Sequence, residues 1–170
     1  EQVARAMFNK GVCLGALNRS EEEIKVYDEL IALYKDRSEP QLAEQVARAM
    51  FNKGVCLGAL NRSEEEIKVY DELIALYKDR SEPQLAEQVA RAMFNKGVSL
   101  GALNRSEEEI KVYDELIALY KDRSEPQLAE QAARAMFNKG VSLGALNRSE
   151  EEIKVYDELI ALYKDRSEPQ

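Results

Sequence analysis

The sequence predicts an all-α solenoid, an α-α superhelix of four helix-turn-helix repeats. The first observation is that the chain of 170 residues aligns with itself at a spacing of 43 residues without a gap. The second is that apolar residues recur at helical spacing, and no segment shows the alternation typical of strands. The third is composition, because 33% charged and 45% hydrophobic residues fit a folded chain and not a disordered one.

The repeat reads LAEQVARAMFNKGVCLGALNRSEEEIKVYDELIALYKDRSEPQ, in copies 1–41, 42–84, 85–127 and 128–170. Each unit of a solenoid buries its apolar face only against its neighbours. We therefore expect residues 1–170 to form one repeat array without internal domain boundaries. Two positions of the repeat vary, one holding Cys13, Cys56, Ser99 and Ser142 and the other Val3, Val46, Val89 and Ala132.

Local signals place two helices in each copy. In the second copy, Ser38 and the Pro and Gln that follow it predict a capping-box start for the first helix. Asn61 tolerates the left-handed conformation that ends many helices. Ser63 opens a second capping box with Glu66 as its third residue, and this helix should end near Lys78. Each copy should thus hold a helix of roughly 20 residues and one of about 15, joined by short turns.

Both helices carry a broad apolar face. In the first helix, Gly54 and Gly58 lie on or beside this face, where the missing side chains would let neighbouring helices approach and offset a helix penalty of ~1 kcal/mol each. Lys53 lies among apolar residues and should extend to a nearby acid. The predicted buried residues are Leu42, Val46, Met50, Gly54, Leu57 and Leu60 in the first helix and Ile67, Val69, Tyr70, Leu73, Ile74, Leu76 and Tyr77 in the second.

A narrow strip of the first helix is left outside the apolar face. Stacking of the copies turns it into a surface, which we call the recognition row and predict to be the binding face. The alternative is that these residues are only the solvated side of a helix. The row comprises Arg5, Asn9, Val12, Arg48, Asn52, Val55, Arg91, Asn95, Val98, Arg134, Asn138 and Val141.

Composition excludes several kinds of chemistry. The chain has no His, which removes the usual general base near neutral pH and zinc sites of mixed Cys/His type. The acids Glu64, Glu65 and Glu66 begin a helix, where a capping role is favoured over metal binding. The two Cys occupy equivalent positions one repeat apart, too far for a disulfide, and should be free thiols. We expect no catalytic residues, metal or cofactor, and no enzymatic activity.

Other partners are disfavoured in turn. A net charge of -8 opposes binding to a nucleic-acid backbone. No apolar run approaches the ~18 residues of a membrane span, so we expect no membrane partner. The absence of a signal segment, together with free thiols, favours a cytoplasmic location.

Residues 47–77 resemble the tetratricopeptide repeat, a helix-turn-helix unit of 34 residues that is extended here to 43 by a longer start of the first helix. Asn52, Gly54, Ile67 and Tyr70 match residues of that family's pattern, whereas Met50, Lys53 and Glu66 depart from it. Glu66 replaces the small residue that normally lets the two helices meet. A closer resemblance is to the tetratricopeptide-like subclass with 42-residue repeats of very high internal identity, and it covers essentially all 170 residues.

The resemblance implies a right-handed superhelix whose first helices line a concave face that binds peptide or protein segments. The family's carboxylate-binding clamp would need a Lys at Phe8 and an Asn at Val12, so that clamp is absent. Four Arg and four Asn along the row favour acidic or carbonyl-rich ligands. The alternative function is a structural array, natural or idealised, whose only partner is another copy. The exposed faces of the first and last helices would then associate head to tail, unless the segment belongs to a longer array.

Overall fold

The computed structural model describes residues 1–164, and these residues form eight α-helices and no strand. The first helices have 20 residues, apart from α1 with 15, and they alternate with second helices of 15 residues, which confirms the predicted all-α solenoid. In chain order the helices are α1 (Gln2–Ala16), α2 (Ser20–Tyr34), α3 (Pro40–Ala59), α4 (Ser63–Tyr77), α5 (Pro83–Ala102), α6 (Ser106–Tyr120), α7 (Pro126–Ala145) and α8 (Ser149–Tyr163).

The chain divides into two compact units, Glu1–Ala92 and Met93–Gln170. In the first unit, α1 packs on α2, α2 on α3 and α3 on α4, and α1 also touches α3. In the second unit, α6 packs on α7 and α7 on α8. Within each unit, a second helix therefore packs against the first helix of the copy that follows, as expected for a solenoid.

The first helices end as predicted, on an asparagine with positive φ. Asn61 has a φ of 58°, and its N–H donates to the Gly58 carbonyl at 2.9 Å. The Arg62 N–H donates to the Leu57 carbonyl at 2.9 Å, which completes a Schellman motif. The same left-handed residue recurs in all four copies as Asn18, Asn61, Asn104 and Asn147.

The predicted capping boxes are wrong. The N-cap of α3 is Glu39 and that of α4 is Arg62, and neither makes a side-chain capping hydrogen bond. Because α4 already includes Ser63, this serine lies one position too late to cap the helix. The Arg62 guanidinium instead donates two hydrogen bonds of 2.7 Å to Glu65. The acids of the first turn still lie at the positive end of the helix dipole.

The glycines of the first helix make room for side chains of the second helix. A Cβ at Gly54 would lie 2.6 Å from Cζ of Tyr70, a fully buried side chain. A Cβ at Gly58 would lie 2.9 Å from the carboxyl group of Glu66, which is also buried. The predicted close approach is therefore made by a tyrosine ring and a carboxyl group, and Glu66 is accommodated without the small residue that it replaces.

Two residues of the predicted apolar faces are exposed. Leu60 is 36% exposed because it follows the last residue of α3 as its C-cap. Leu76 is 42% exposed and lies about 120° around the helix from Tyr70, at the edge of the apolar face. The other predicted core residues of these helices are buried, apart from Ile74, which is half-buried.

The third acid of the triplet that begins a second helix contacts the next copy and is not a cap. The Glu23 carboxyl group lies near the Cys56 thiol, and that of Glu109 lies near the Ser142 hydroxyl group. Burial raises the pKa of both carboxyl groups, and the neighbouring thiol or hydroxyl group opposes the rise. Their charged forms are therefore less stable in the folded chain than in water.

We expect the Gly54→Ala substitution to destabilise the chain by about 1–3 kcal/mol, because the added methyl group displaces the Tyr70 ring. Helix propensity alone predicts the opposite, a gain of up to ~1 kcal/mol. Denaturant unfolding measures the difference. The control is Ala59→Gly at an exposed position, which should cost less. A Gly54→Ala variant as stable as the parent would show that the ring is not tightly held.

Glu109→Gln should raise stability at pH 7–8. Glu109 has a raised folded pKa, so its charged form disfavours folding above that pKa, and this cost disappears as the pH falls through it. The neutral Gln avoids the cost, and the difference from the parent should vanish in acid. The exposed neighbour Glu108 has a pKa lowered by Arg105, so Glu108→Gln should instead reduce stability at pH 7. Melting temperatures between pH 4 and 8 test both signs, and equal effects of the two variants would contradict this account.

Candidate functional site: a row of first-helix residues

The recognition row lies on the first helices, with one Arg, one Asn and one Val in each of α1, α3, α5 and α7. Its valines are exposed, between 45% for Val12 and 51% for Val141. Helical spacing places the three residues of a copy along one side of their helix. Each copy thus presents a guanidinium group, a side-chain amide and an apolar side chain in the same order along its first helix.

In the second unit, part of this row lines an open groove of about 680 Å³. Four of the lining residues belong to the predicted row, and the others add two aromatic rings and two aliphatic side chains. Val141 belongs to the row but does not line this groove. The lining residues are Phe94, Asn95, Val98, Ala133, Arg134, Phe137, Asn138 and Leu159.

The arginines of the row stack on phenylalanines of the preceding copy. The Arg48 guanidinium lies 4.3 Å from the Phe8 ring centroid, and Arg134 lies 4.2 Å from that of Phe94. A third arginine, Arg91, lies 4.1 Å from the Phe51 centroid in the first unit. Stacking fixes the plane of each guanidinium while its N–H edge can still meet a carboxylate.

These phenylalanines were not among the predicted residues of the binding face. Phe8 and Arg48 are 40 residues apart, so helical periodicity within one copy carries no signal of their contact. Only the alignment of one copy on the next could have suggested the pair.

The asparagines of the row are held by buried tyrosines. Asn52 Nδ2 donates to Tyr27 Oη at 3.2 Å, and Asn138 Nδ2 donates to Tyr113 Oη at 3.3 Å. Burial raises the pKa of both tyrosines to about 12, so the phenols are neutral at physiological pH. The bond to the tyrosine uses one amide proton, which leaves the Asn carbonyl oxygen as an acceptor.

The acid partner of Lys53 is Asp28 of the preceding copy, with Nζ to Oδ1 at 2.6 Å. Lys139 and Asp114 repeat the pair at 2.5 Å in the second unit. The prediction that this lysine extends to an acid is therefore correct. Because each charge is matched, these lysines add little positive potential to the groove.

In residues 1–164, no group of three or more acids and cysteines could hold a metal ion. Cys13 and Cys56 are both free, the first exposed and the second buried. Over the same range, the helices are too short or too polar to cross a membrane.

Comparison with known families finds the family model described as tetratricopeptide repeat, which matches residues 4–37, 47–80, 90–123 and 133–166. Each matched segment begins within a first helix and extends past the second. The residues between matches include the early turns of the first helices, so the added length lies largely there, as predicted. No curated protein sequence matches the chain.

Solved structures with the same fold include the MamA RS-1 ArsTM double mutant, with a TM-score of 0.68 at 13% identity, covering 98% of this chain and 78% of that one. A second is the Podospora anserina putative kinesin light chain with nearly identical TPR-like repeats, with a TM-score of 0.65 at 9% identity. That match covers 96% of this chain and 76% of the other. At such identities the likeness concerns the fold alone.

We expect a coupling free energy of about 0.5–1 kcal/mol between Arg134 and Phe94 in a double-mutant cycle, because the guanidinium stacks on the ring at a partly exposed site. Unfolding of Arg134→Ala, Phe94→Ala and the double variant gives the value. The cycle of Arg48 with Phe8 should reproduce it. A cycle of Lys154, an exposed residue of α8, with Phe94 is the control and should be additive. Additivity in all three cycles would rule out the stack as a stabilising contact.

Proposed function

We propose that this chain, which belongs to the tetratricopeptide repeat family, is a scaffold that binds extended peptide or protein segments along the recognition row. Members of the family commonly serve as scaffolds of protein–protein interaction. The observation that carries the proposal is the groove of the second unit, whose lining includes four residues of the row. We propose no enzymatic activity.

A carboxylate is the ligand group that best fits the arginines. Arg134 is exposed at its edge and stacked at its face, and no carboxylate pairs with it in the part of the chain that the structure describes. A guanidinium held in one plane loses little rotamer entropy on binding and can donate two parallel hydrogen bonds. An Asp, a Glu or a free carboxyl terminus of the ligand would meet it.

The remaining lining fits the backbone and an apolar side chain of an extended segment. The Asn138 carbonyl oxygen can accept a hydrogen bond from a peptide N–H, since its amide nitrogen already donates to Tyr113. Phe137 and Leu159 offer apolar contacts, because the ring is 54% exposed and the leucine is half-buried. An acidic segment with an interspersed apolar side chain is therefore the ligand class that we propose.

A second candidate function is a structural array whose partner is another copy of the chain. The observation that favours it is the exposed apolar side of α8, where Ile153 is 55% and Ile160 is 58% exposed. Isolated exposed apolar residues are ordinary, but these two lie seven residues apart on the same side of one helix, and exposed apolar patches are typical of interaction surfaces.

The test of peptide binding replaces all four row arginines, Arg5, Arg48, Arg91 and Arg134, by Ala. The probes are a fluorescently labelled acidic and a labelled basic peptide library. We expect the parent chain to prefer the acidic library and the variant to bind it at least about tenfold more weakly, since each hydrogen bond to a charged group contributes about 1.5–3 kcal/mol.

The matched control replaces four exposed lysines of the second helices by Ala and changes the net charge by the same amount. These are Lys25, Lys68, Lys111 and Lys154. Circular dichroism checks that both variants remain helical. Equal losses in the two variants, or a preference of the parent for the basic library, would refute binding along the row.

A further inference from the structure

We propose that two molecules of this chain join head to tail in one register. In this register, α1 of one molecule packs on α8 of the other as α3 packs on α2 inside the chain. The inference deepens the second candidate function by naming the residues of the joint. Each end of the chain would be covered by a second molecule of the same chain. The basis is that both end faces correspond to surfaces that already pack together at repeat boundaries inside the chain.

The first half of the joint is the open face of α8 and the neighbouring part of α7. Ile153 is 55% exposed, whereas its equivalent Ile110 on α6 is 6% exposed. Phe137 is 54% exposed, whereas Phe94 lies under Arg134 and is 6% exposed. In the third repeat these residues are covered by α7. In the fourth repeat the equivalent residues are uncovered among residues 1–164, which the structure describes.

The second half is the open face of α1. Val3 is 60% exposed, whereas its equivalent Val46 on α3 is fully buried. Cys13 is exposed, whereas Cys56 is buried with its Sγ 3.7 Å from the Ser20 carbonyl oxygen. The side of α1 that corresponds to the boundary side of α3 is therefore open in the described chain.

The two faces are chemically complementary because the repeats are nearly identical. At the boundary between the first and second repeats, Arg48 stacks on Phe8 of α1, Asn52 donates to Tyr27, Lys53 pairs with Asp28 and Arg62 pairs with Glu21. The boundary between the third and fourth repeats has the same four contacts. In the proposed joint the corresponding pairs are Arg5 with Phe137, Asn9 with Tyr156, Lys10 with Asp157 and Arg19 with Glu150.

The position of the repeat that varies between Val and Ala does not obstruct the joint. Val46 and Ala132 are both fully buried at their boundaries, so this position accepts either side chain. Such a contact joins two different surfaces and leaves one α1 face and one α8 face free at the ends of the assembly. Further molecules can therefore be added, and the assembly does not close as a dimer.

The first experiment measures association of the full chain by sedimentation over a range of concentrations, with charge-reversal variants. Lys10→Asp and Asp157→Lys should each weaken association at least about tenfold, because each places like charges across the joint. An equimolar mixture of the two variants should restore association between unlike copies, since the aspartate introduced in one chain then meets the lysine introduced in the other.

The control reverses Lys25, an exposed residue of α2 outside the proposed joint. Lys25→Asp should associate as the parent does, although it changes the net charge as Lys10→Asp does. Association that weakens equally in both variants, or a mixture that fails to recover, would overturn the register.

The second experiment tests the register by cross-linking. In a Cys56→Ser background, which copies the residue present at Ser99 and Ser142, Ser149→Cys should form intermolecular disulfides with Cys13. These positions correspond to Ser20 and Cys56, which lie in contact inside the chain. The control Glu158→Cys, about two and a half turns further along α8, should not cross-link under the same oxidation.

The outcomes separate the two levels of the inference. A parent chain that stays monomeric at all concentrations would overturn both the array function and the joint. Association without selective cross-linking or charge rescue would overturn the joint alone. The joint would cover Phe137, which also lines the groove, so peptide binding is decided separately by the row-arginine and lysine variants described above.

Discussion

The buried tyrosine of α2, α4 and α6 (Tyr27, Tyr70 and Tyr113) is the contact on which the rest of the structure depends. Tyr27 fills the space left by Gly11, packs 6.0 Å from the Phe8 ring centroid and accepts a hydrogen bond from Asn52. Phe8 in turn supports Arg48. One side chain thus joins the two helices of a copy, holds the first helix of the next and orders two residues of the recognition row.

This arrangement places the row on rigid elements. Tyr27 and Tyr113 have no exposed surface, and their buried phenols remain neutral with a pKa of about 12. A loss of the ring would leave a cavity and release both the Asn and the Phe that depend on it. Stability and the geometry of the row therefore share the same contacts, and a substitution in the core changes the surface at the same time.

The helices could be predicted from local signals in the sequence, whereas the contacts between copies could not. The ends at Asn61 and its equivalents could be predicted because a left-handed cap depends on one residue and its neighbours. The role of Glu66 could not, because the space beside Gly58 outweighs the local preference for a capping box. The stack of Arg48 on Phe8 and the partner of Lys53 depend on the register between copies, which a single repeat does not encode.

Near-identity of the repeats also constrains the peptide binding that we propose for the row. The Arg, Asn and Val positions recur every 43 residues, so a short ligand meets several equivalent placements. Selectivity between such placements needs a difference in affinity, and identical residues supply none. A ligand with a repeated acidic motif gains affinity by occupying several placements at once, because the later contacts form at high effective concentration. The number of copies, more than the chemistry of any one copy, then sets how strongly such a scaffold holds its partner.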